Sequence, residues 1–398
     1  MPSLTGGGAE RMLLRLAEEF AAGGHRVDLL LSRVKGRHDS TLPAGLDPIR
    51  LKPCAALAAR RAALAAAGRD WPLLLRPVLG ALSASWAIRY LPALTAYLTA
   101  HRPTALLAAN SWPNLVALWA QRLAGVDTRI VLSERVQLSE RVAHLRGHAR
   151  WRHLPSLIAR FYPEAAGVVA VSHGVARDLA ATSGLPRESI AVLPNPVVSP
   201  RLLALAEVPL DHPWFAAGQP PVILAAGRLH PQKDFTTLLH AFAWLRQARA
   251  ARLLILGEGK ERQALERSAR EWGVSEDVAM PGHADNPFAY MRRARVFALS
   301  SRYEGLPGVL IQALACGCPS VSTDCPSGPR EILQDGRLGP LVPVGDAEAL
   351  AQAISSCLDA PVPRDVLREG VAQYAVAAAT DAYLGALLGE DARAPARE

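Results

Sequence analysis

Apolar residues in the first thirty positions change period once. Met12, Leu13, Leu16, Ala17 and Phe20 recur at helical spacing, which predicts an amphipathic helix over 9–22. Gly23 and Gly24 stop it, and Arg26 to Leu31 then reads as a buried parallel strand. Gly6, Gly7 and Gly8 make the turn before the helix. The strand that should feed this turn is represented only by Pro2, Ser3 and Leu4. The expectation is therefore a natural start upstream of Met1, or an impaired domain, with residues 1–4 as the stub of a central strand and a gap beyond it.

Further along, 55–100 is rich in Ala, Leu and Arg and is broken by Pro72, Pro77 and Pro92, so several helices are predicted there. Strands at 104–109 and 128–132 flank a helix over 112–123, and a strand at 167–171 precedes a helix from Gly174. A proline-rich stretch over 193–221 marks a boundary. Beyond it the alternation restarts, with strands at 222–226, 252–256, 277–280, 296–299 and 320–323. Gly273 and Gly317 read as helix stops. The pattern predicts two doubly wound, Rossmann-like α/β domains. Their expected bounds are 1–200 and 201–372, with 373–398 as a helix returning to the first domain, then a tail.

Charge divides along the same line. Residues 1–200 carry 24 basic and 13 acidic side chains, and 201–398 carry 20 and 23, in keeping with the formal +8. A basic first half suits an anionic lipid or acceptor. Nucleic acid is excluded, since no binding motif accompanies the charge and aromatics are few. The densest run, 135–160, has six arginines, three histidines and only Glu140 as an acid. It reads either as a solvated helix face or as a contact for acceptor or membrane. No apolar run is long enough to span a membrane. Acids and arginines within the first twenty residues argue against a signal peptide. Cys316, Cys318 and Cys325 are spaced C-x-C-x6-C without nearby histidines, which fits no common zinc site. No metal is expected, and the cysteines read as buried thiols in a reducing cytoplasm.

The chemistry concentrates in two segments of the second half. GRLHPQKDF carries Gly227, Arg228 and Lys233, and SSRYEGLPGVLIQ carries Glu304, Leu306, Pro307, Gly308 and Gln312. Each follows a predicted strand, so both loops face the crevice beyond the carboxyl ends of an open parallel sheet. Two cations, plus the amides and dipole of a helix starting near Gly308, make a place for a diphosphate. Loss of one such donor should cost about 3–4 kcal/mol of transition-state stabilisation. LGEGKER is not a Walker loop, and GGGAER is not G-x-G-x-x-G.

These segments, with GGGAER, GHRVDLL, VLSERV, YPEAAGVVAVSHGVARDLA, VLPNPVV and DCPSGPREIL, resemble family 4 retaining glycosyltransferases of the GT-B fold. The resemblance covers about residues 3–385 and is strongest over 222–345. It implies two domains facing a cleft, and transfer of a sugar from a nucleotide donor, expected to be UDP-linked, with retention of configuration. It implies no metal and no cofactor, the nucleotide-sugar being substrate. The acceptor implied is a saccharide or a lipid-linked glycan of bacterial surface polysaccharide. The place implied is the cytoplasm, with peripheral contact to the inner face of the membrane. Carried over residue by residue, Arg228 and Lys233 hold the leaving diphosphate, Glu304 meets the donor sugar, and Leu306, Pro307 and Gly308 line its hydroxyls. Gly7, Gly8 and Gly227 allow close backbone approach, and Glu331 lies near the donor. Glu134, Arg135 and His173 are weaker acceptor-side candidates. The family's second acid, which grips the ribose, is Gln312 here, a departure expected to retune donor affinity. Two other readings stay open, a nucleotide-sugar epimerase of the same fold and a non-catalytic nucleotide-sugar-binding homologue.

Overall fold

The computed structural model describes residues 8–32, 46, 48–80, 86–145 and 148–389. It divides into two compact units. Unit 1 is 1–196 with 377–398, and unit 2 is 197–376. Both are α/β with parallel sheets, as the alternating pattern predicts.

Unit 1 holds strands β1 (Leu29–Leu31), β2 (Pro48–Arg50), β3 (Ala105–Ala109), β4 (Arg129–Glu134), β5 (Gly167–Ala170) and β6 (Ile190–Val192). They form two parallel sheets, β1-β2 and β3-β4-β5-β6. The helix Gly8–Ala22 lays Met12, Leu16 and Phe20 into a core with Val131 of β4 and Val169 of β5. The helix Val376–Leu388 adds Tyr383 and Leu387 to the same core. Residues 1–7 fall outside the described residues, and so does the expectation placed on residues 1–4. What is described is that β3 is an edge strand. Thr104 and Asn110 bond to β4, so the outward row is Ala105, Leu107 and Ala109. That row borders a cavity of about 790 Å³ lined by Leu16, Phe20, Leu29, Leu94 and Leu387.

Of the three prolines of 55–100, Pro77 lies inside the π-helical turn Leu75–Leu79 and so does not break it. Pro92 opens the helix Leu91–His101, and Pro72 sits inside a run of tight turns over Gly68–Leu74.

Unit 2 holds β7 (Val222–Ala226), β8 (Arg252–Leu256), β9 (Val278–Gly282), β10 (Val296–Leu299), β11 (Ser320–Thr323) and β12 (Leu341–Val342). Their order is β12-β11-β10-β7-β8-β9, all parallel. Every residue of β10 is buried, and so is β7 up to Ala226, as strands covered on both faces require. The order reverses between β7 and β10. This is the topological switch point of a doubly wound sheet, and ligands bind in the crevice it opens. The loops after β7 and β10 are the two segments singled out by their chemistry.

Candidate functional site

The loop after β7 is held by glycines that admit no side chain. A Cβ on Gly257 would lie 1.9 Å from the carbonyl oxygen of Gly227. One on Gly259 would lie 2.1 Å from that of Leu229. The turn after β8 therefore lies directly against 227–229 and fixes its path. Gly257 also has φ +143, which an L side chain rarely adopts. The stem of Lys233 then folds back across Gly227, whose own Cβ would stand 3.4 Å from the lysine Cε.

Lys233 Nζ donates to Glu304 Oε1, and the two form an ion pair with 16% and 9% side-chain exposure. Ser301 Oγ donates to the same oxygen at 2.7 Å. The pairing joins residues 71 apart in the chain and binds the two loops into one structure. Other bonds do the same. Gln232 Nε2 donates to Tyr303 O at 2.9 Å, Ser300 Oγ to Lys233 O at 2.7 Å, and Arg302 N to Gln232 O at 2.8 Å. Arg302 Nε reaches the buried Asp234 at 3.0 Å. Asp234 is left-handed at φ +48, a strained state for a non-glycine residue, held here by Arg302 and by Thr237 at 2.9 Å.

A third segment supports the floor. Ser327 Oγ donates to Glu304 O at 2.7 Å, and Thr323 Oγ1 to Ser301 O at 2.6 Å. A Cβ on Gly328 would lie 2.4 Å from Pro307 Cδ, so this loop abuts the turn before the helix Gly308–Ala315. Pro307 caps that helix, and its carbonyl takes the amides of Leu310 and Ile311 at 3.0 and 3.4 Å. The amides of Gly308 and Val309 are left as first-turn donors with no intrahelical acceptor. Gly308 and Gln312 are four apart and share a helix face, both half-buried.

The predicted donor residues of the second half thus lie on loops around the switch point of unit 2, whereas Gly8 lies in unit 1. Arg228 is exposed and makes no ion pair among the described residues. Lys233 and Glu304 meet directly, Leu306 and Pro307 are buried, and Glu331 is half-buried beside Tyr374. Gly227 lies against Lys233. Sequence reasoning missed Gln232, Asp234, Ser301, Arg302, Ser327 and the tight glycines Gly257, Gly259 and Gly328. The G-x-G after β8 and the S-G-P before Glu331 were the available signals.

The acceptor-side candidates lie in unit 1. Glu134, at the end of β4, is 2% exposed. Tyr162 Oη donates to it at 2.5 Å, Ser111 Oγ at 3.1 Å and Asn114 Nδ2 at 3.2 Å. These internal partners occupy it, so its described surroundings are the core. Burial raises its pKa above the ordinary carboxyl range, against the pull of those donors. Arg135 is buried too, bonded to Asn195 and, at 3.4 Å, to Ser133. His173 is exposed beside Arg187 at 3.4 Å, while Ser172 caps the helix His173–Ser183. Gly8 opens the first helix, and Gly7 lies outside the described residues. No His, Cys, Asp and Glu group suited to a metal occurs among the described residues. Cys316, Cys318, Cys325 and Cys357 are buried, and desolvation pushes the Cys316 thiol up to about 12.

Glu134 carries a pH prediction. A carboxyl with a raised folded pKa stabilises below its unfolded pKa, and that contribution is lost as pH rises through the folded value. Glu134→Gln should therefore flatten the fall of stability with rising pH above about 4.5, the ordinary carboxyl value. Urea midpoints across pH 4–8 check this, and an unchanged slope would contradict it.

Sequence comparison agrees with the geometry. Residues 6–199 match the model of "Glycosyltransferase Family 4", and 220–360 match "Glycosyl transferases group 1". A Campylobacter jejuni N-acetylgalactosamine-N,N'-diacetylbacillosaminyl-diphospho-undecaprenol 4-alpha-N-acetylgalactosaminyltransferase is 31% identical over 62% of this chain and 65% of its own. The Rhizobium meliloti lipopolysaccharide core biosynthesis glycosyltransferase LpsE is 35% identical over 50% and 57%. The matches thus span less than two thirds of these relatives' length. Anabaena HepE, solved with UDP and glucose, has the same fold at TM-score 0.73, 19% identity and 98% coverage of both chains. With one glycosyltransferase domain matched before residue 200 and another after 219, the chain belongs to the family 4 glycosyltransferases and has the GT-B fold.

Proposed function

We propose that this enzyme moves a sugar from a UDP-linked donor to a saccharide or lipid-linked acceptor in surface-polysaccharide synthesis, retaining configuration and using no metal. The observation that carries the donor half is the Lys233–Glu304 pair beside the first-turn amides of Gly308 and Val309, at the switch point of unit 2. As the sugar C1–O bond to the diphosphate breaks, negative charge grows on the leaving phosphate oxygen. Arg228, Lys233 and the helix amides are the fixed positive groups that stabilise it. The acceptor oxygen forms the new bond to C1, and its proton passes to the departing phosphate. Glu304, oriented by Lys233 and Ser301, is the polar group offered to the sugar. The lipid-linked acceptor is supported by the Campylobacter jejuni relative, whose name specifies a diphospho-undecaprenol substrate. Such an acceptor is met at the inner face of the membrane. No described helix is long and apolar enough to cross it.

Gln312 tests the ribose side. Gln312→Glu should tighten UDP binding or leave it unchanged, because a carboxylate accepts from two hydroxyls. Calorimetric titration reads it, and a loss beyond tenfold would assign Gln312 to another group. Product analysis by NMR tests the reaction itself. An α-linked product with EDTA present is expected, while epimerised donor without acceptor would favour the epimerase reading.

A further inference from the structure

The ten large apolar side chains exposed among the described residues are not scattered. Six of them, Leu57, Leu64, Trp71, Leu73, Leu75 and Trp86, lie within thirty residues of unit 1. The elements that carry them are consecutive and packed on one another. They are the helix Ala56–Ala67, the turns Gly68–Leu74 and Leu75–Leu79, and the turn Trp86–Tyr90. The helix shows the anomaly in its periodicity. Ala59, Ala63, Ala66 and Ala67 face inward, whereas Leu57, Arg61 and Leu64, spaced by four and three, share the solvent face. A helix that merely faced water would carry polar residues there. Tryptophans and leucines standing out on adjacent turns make an apolar surface that a soluble monomer seldom leaves bare.

The charge around this surface selects its partner. Residues 52–90 contain six basic side chains and one acid, Asp70. Asp70 is already spent on Arg160 at 2.7 Å. Arg61, Arg69 and Arg76 are exposed. Burial, and after it Arg76 and Arg152, hold the His153 imidazole below its ordinary pKa, so these two arginines lie near the neighbouring segment. Exposed tryptophan and leucine among Arg61, Arg69 and Arg76, which make no ion pair among the described residues, is the signature of a surface lying in a bilayer interface. The rings and leucines enter the acyl boundary, and the arginines meet anionic headgroups.

We propose that 56–80 with 86–90 is the face by which this enzyme docks on an anionic membrane. The 135–160 run, singled out by composition alone, is then a flank. It spends Arg160 on Asp70 and Glu164 and stacks Arg141 on Trp151. The purpose of docking rests on the lipid-linked acceptor proposed above, but the patch itself does not. None of its residues belongs to the donor site.

The test uses co-sedimentation of the full chain with vesicles of phosphatidylglycerol and phosphatidylcholine, and with phosphatidylcholine alone. Wild type should bind the anionic vesicles at low salt, bind the neutral ones at least tenfold more weakly, and be released by 0.5 M salt. Arg61→Gln with Arg69→Gln and Arg76→Gln should lower partitioning by about fivefold per charge. Trp71→Ser with Leu73→Ser and Leu75→Ser should lower it at least tenfold. Trp244→Ser, which alters an exposed tryptophan of unit 2, should leave it unchanged. The single variants Arg69→Gln and Leu75→Ser serve if a triple variant does not fold. UDP affinity in solution should be the same in all of them. Its loss in wild type would sink the donor reading without touching this one. Three results would overturn the docking proposal. One is wild type failing to bind anionic vesicles, another is folded patch variants binding as wild type does. The third is a wild-type dimer dispersed by the serine variants, which would assign the patch to a second copy of the chain.

Discussion

Replacing Lys233 with Ala is expected to lower turnover at least a hundredfold and to destabilise unit 2 by about 3 kcal/mol. The two effects have separate causes. The catalytic loss comes from removing a fixed cation where the leaving diphosphate gathers charge. The stability loss comes from Glu304, which is 7% exposed and would keep only the Ser301 hydroxyl for the carboxylate oxygen that Lys233 now holds. A paired change separates them. Lys233→Met with Glu304→Gln removes both charges and should recover most of the stability but none of the turnover. Urea unfolding and steady-state transfer report the two quantities. Recovery of activity in the pair would mean that Lys233 matters for folding alone. Arg228→Ala should lower turnover similarly while leaving stability near wild type, because Arg228 is exposed and makes no ion pair among the described residues.

The second large effect is expected far from any charge. Gly257→Ala adds one methyl group at a point 1.9 Å from the Gly227 carbonyl oxygen, on a backbone with φ +143. The added atom meets backbone and not a flexible side-chain end. Relief therefore requires 227–229 to move. Overpacking and strain together should cost about 3 kcal/mol or more. If the protein folds, Arg228 and the Lys233 stem shift with the loop, and UDP affinity should fall about tenfold or more. Thermal unfolding and calorimetric titration read both. Wild-type stability and UDP affinity in Gly257→Ala would show that the two loops are not packed in this way. Gly328→Ala, directed at Pro307 Cδ at 2.4 Å, should behave similarly on the opposite side of the site.

The parts of this fold that were legible in the chain are those buried on two faces. The runs that form β7, β8, β10 and β11 are four or five residues of apolar or small side chains, apart from Arg252 at the start of β8, and their bounds emerge as expected. Strands β2, β6 and β12 escaped because two or three residues, as in Pro48–Arg50 or Leu341–Val342, carry no period to read. The crevice was legible through the open-sheet rule, since both charged loops follow strands. The Lys233–Glu304 bond was not, nor was the Asp234–Arg302 bond, because pairings across 71 and 68 residues leave no local pattern. The glycines that press β8's turn onto the 227–229 loop were visible only as a G-x-G. Their meaning depends on what stands opposite. Composition pointed to 135–160 as the surface of interest. The docking proposal rests instead on 56–80 with 86–90, where arginine density is lower but exposed leucine and tryptophan accompany it.

The proposed donor site of unit 2 can be tested without knowing the acceptor. Titration of UDP and of uridine into the purified protein in EDTA compares the diphosphate with the nucleoside alone. UDP should bind at least tenfold more tightly than uridine, unaffected by the chelator, and Arg228→Ala and Lys233→Ala should each erase that difference. Equal binding of UDP and uridine, or a preference for UDP that appears only with added divalent metal, would contradict a site in which this chain's own cations hold the diphosphate.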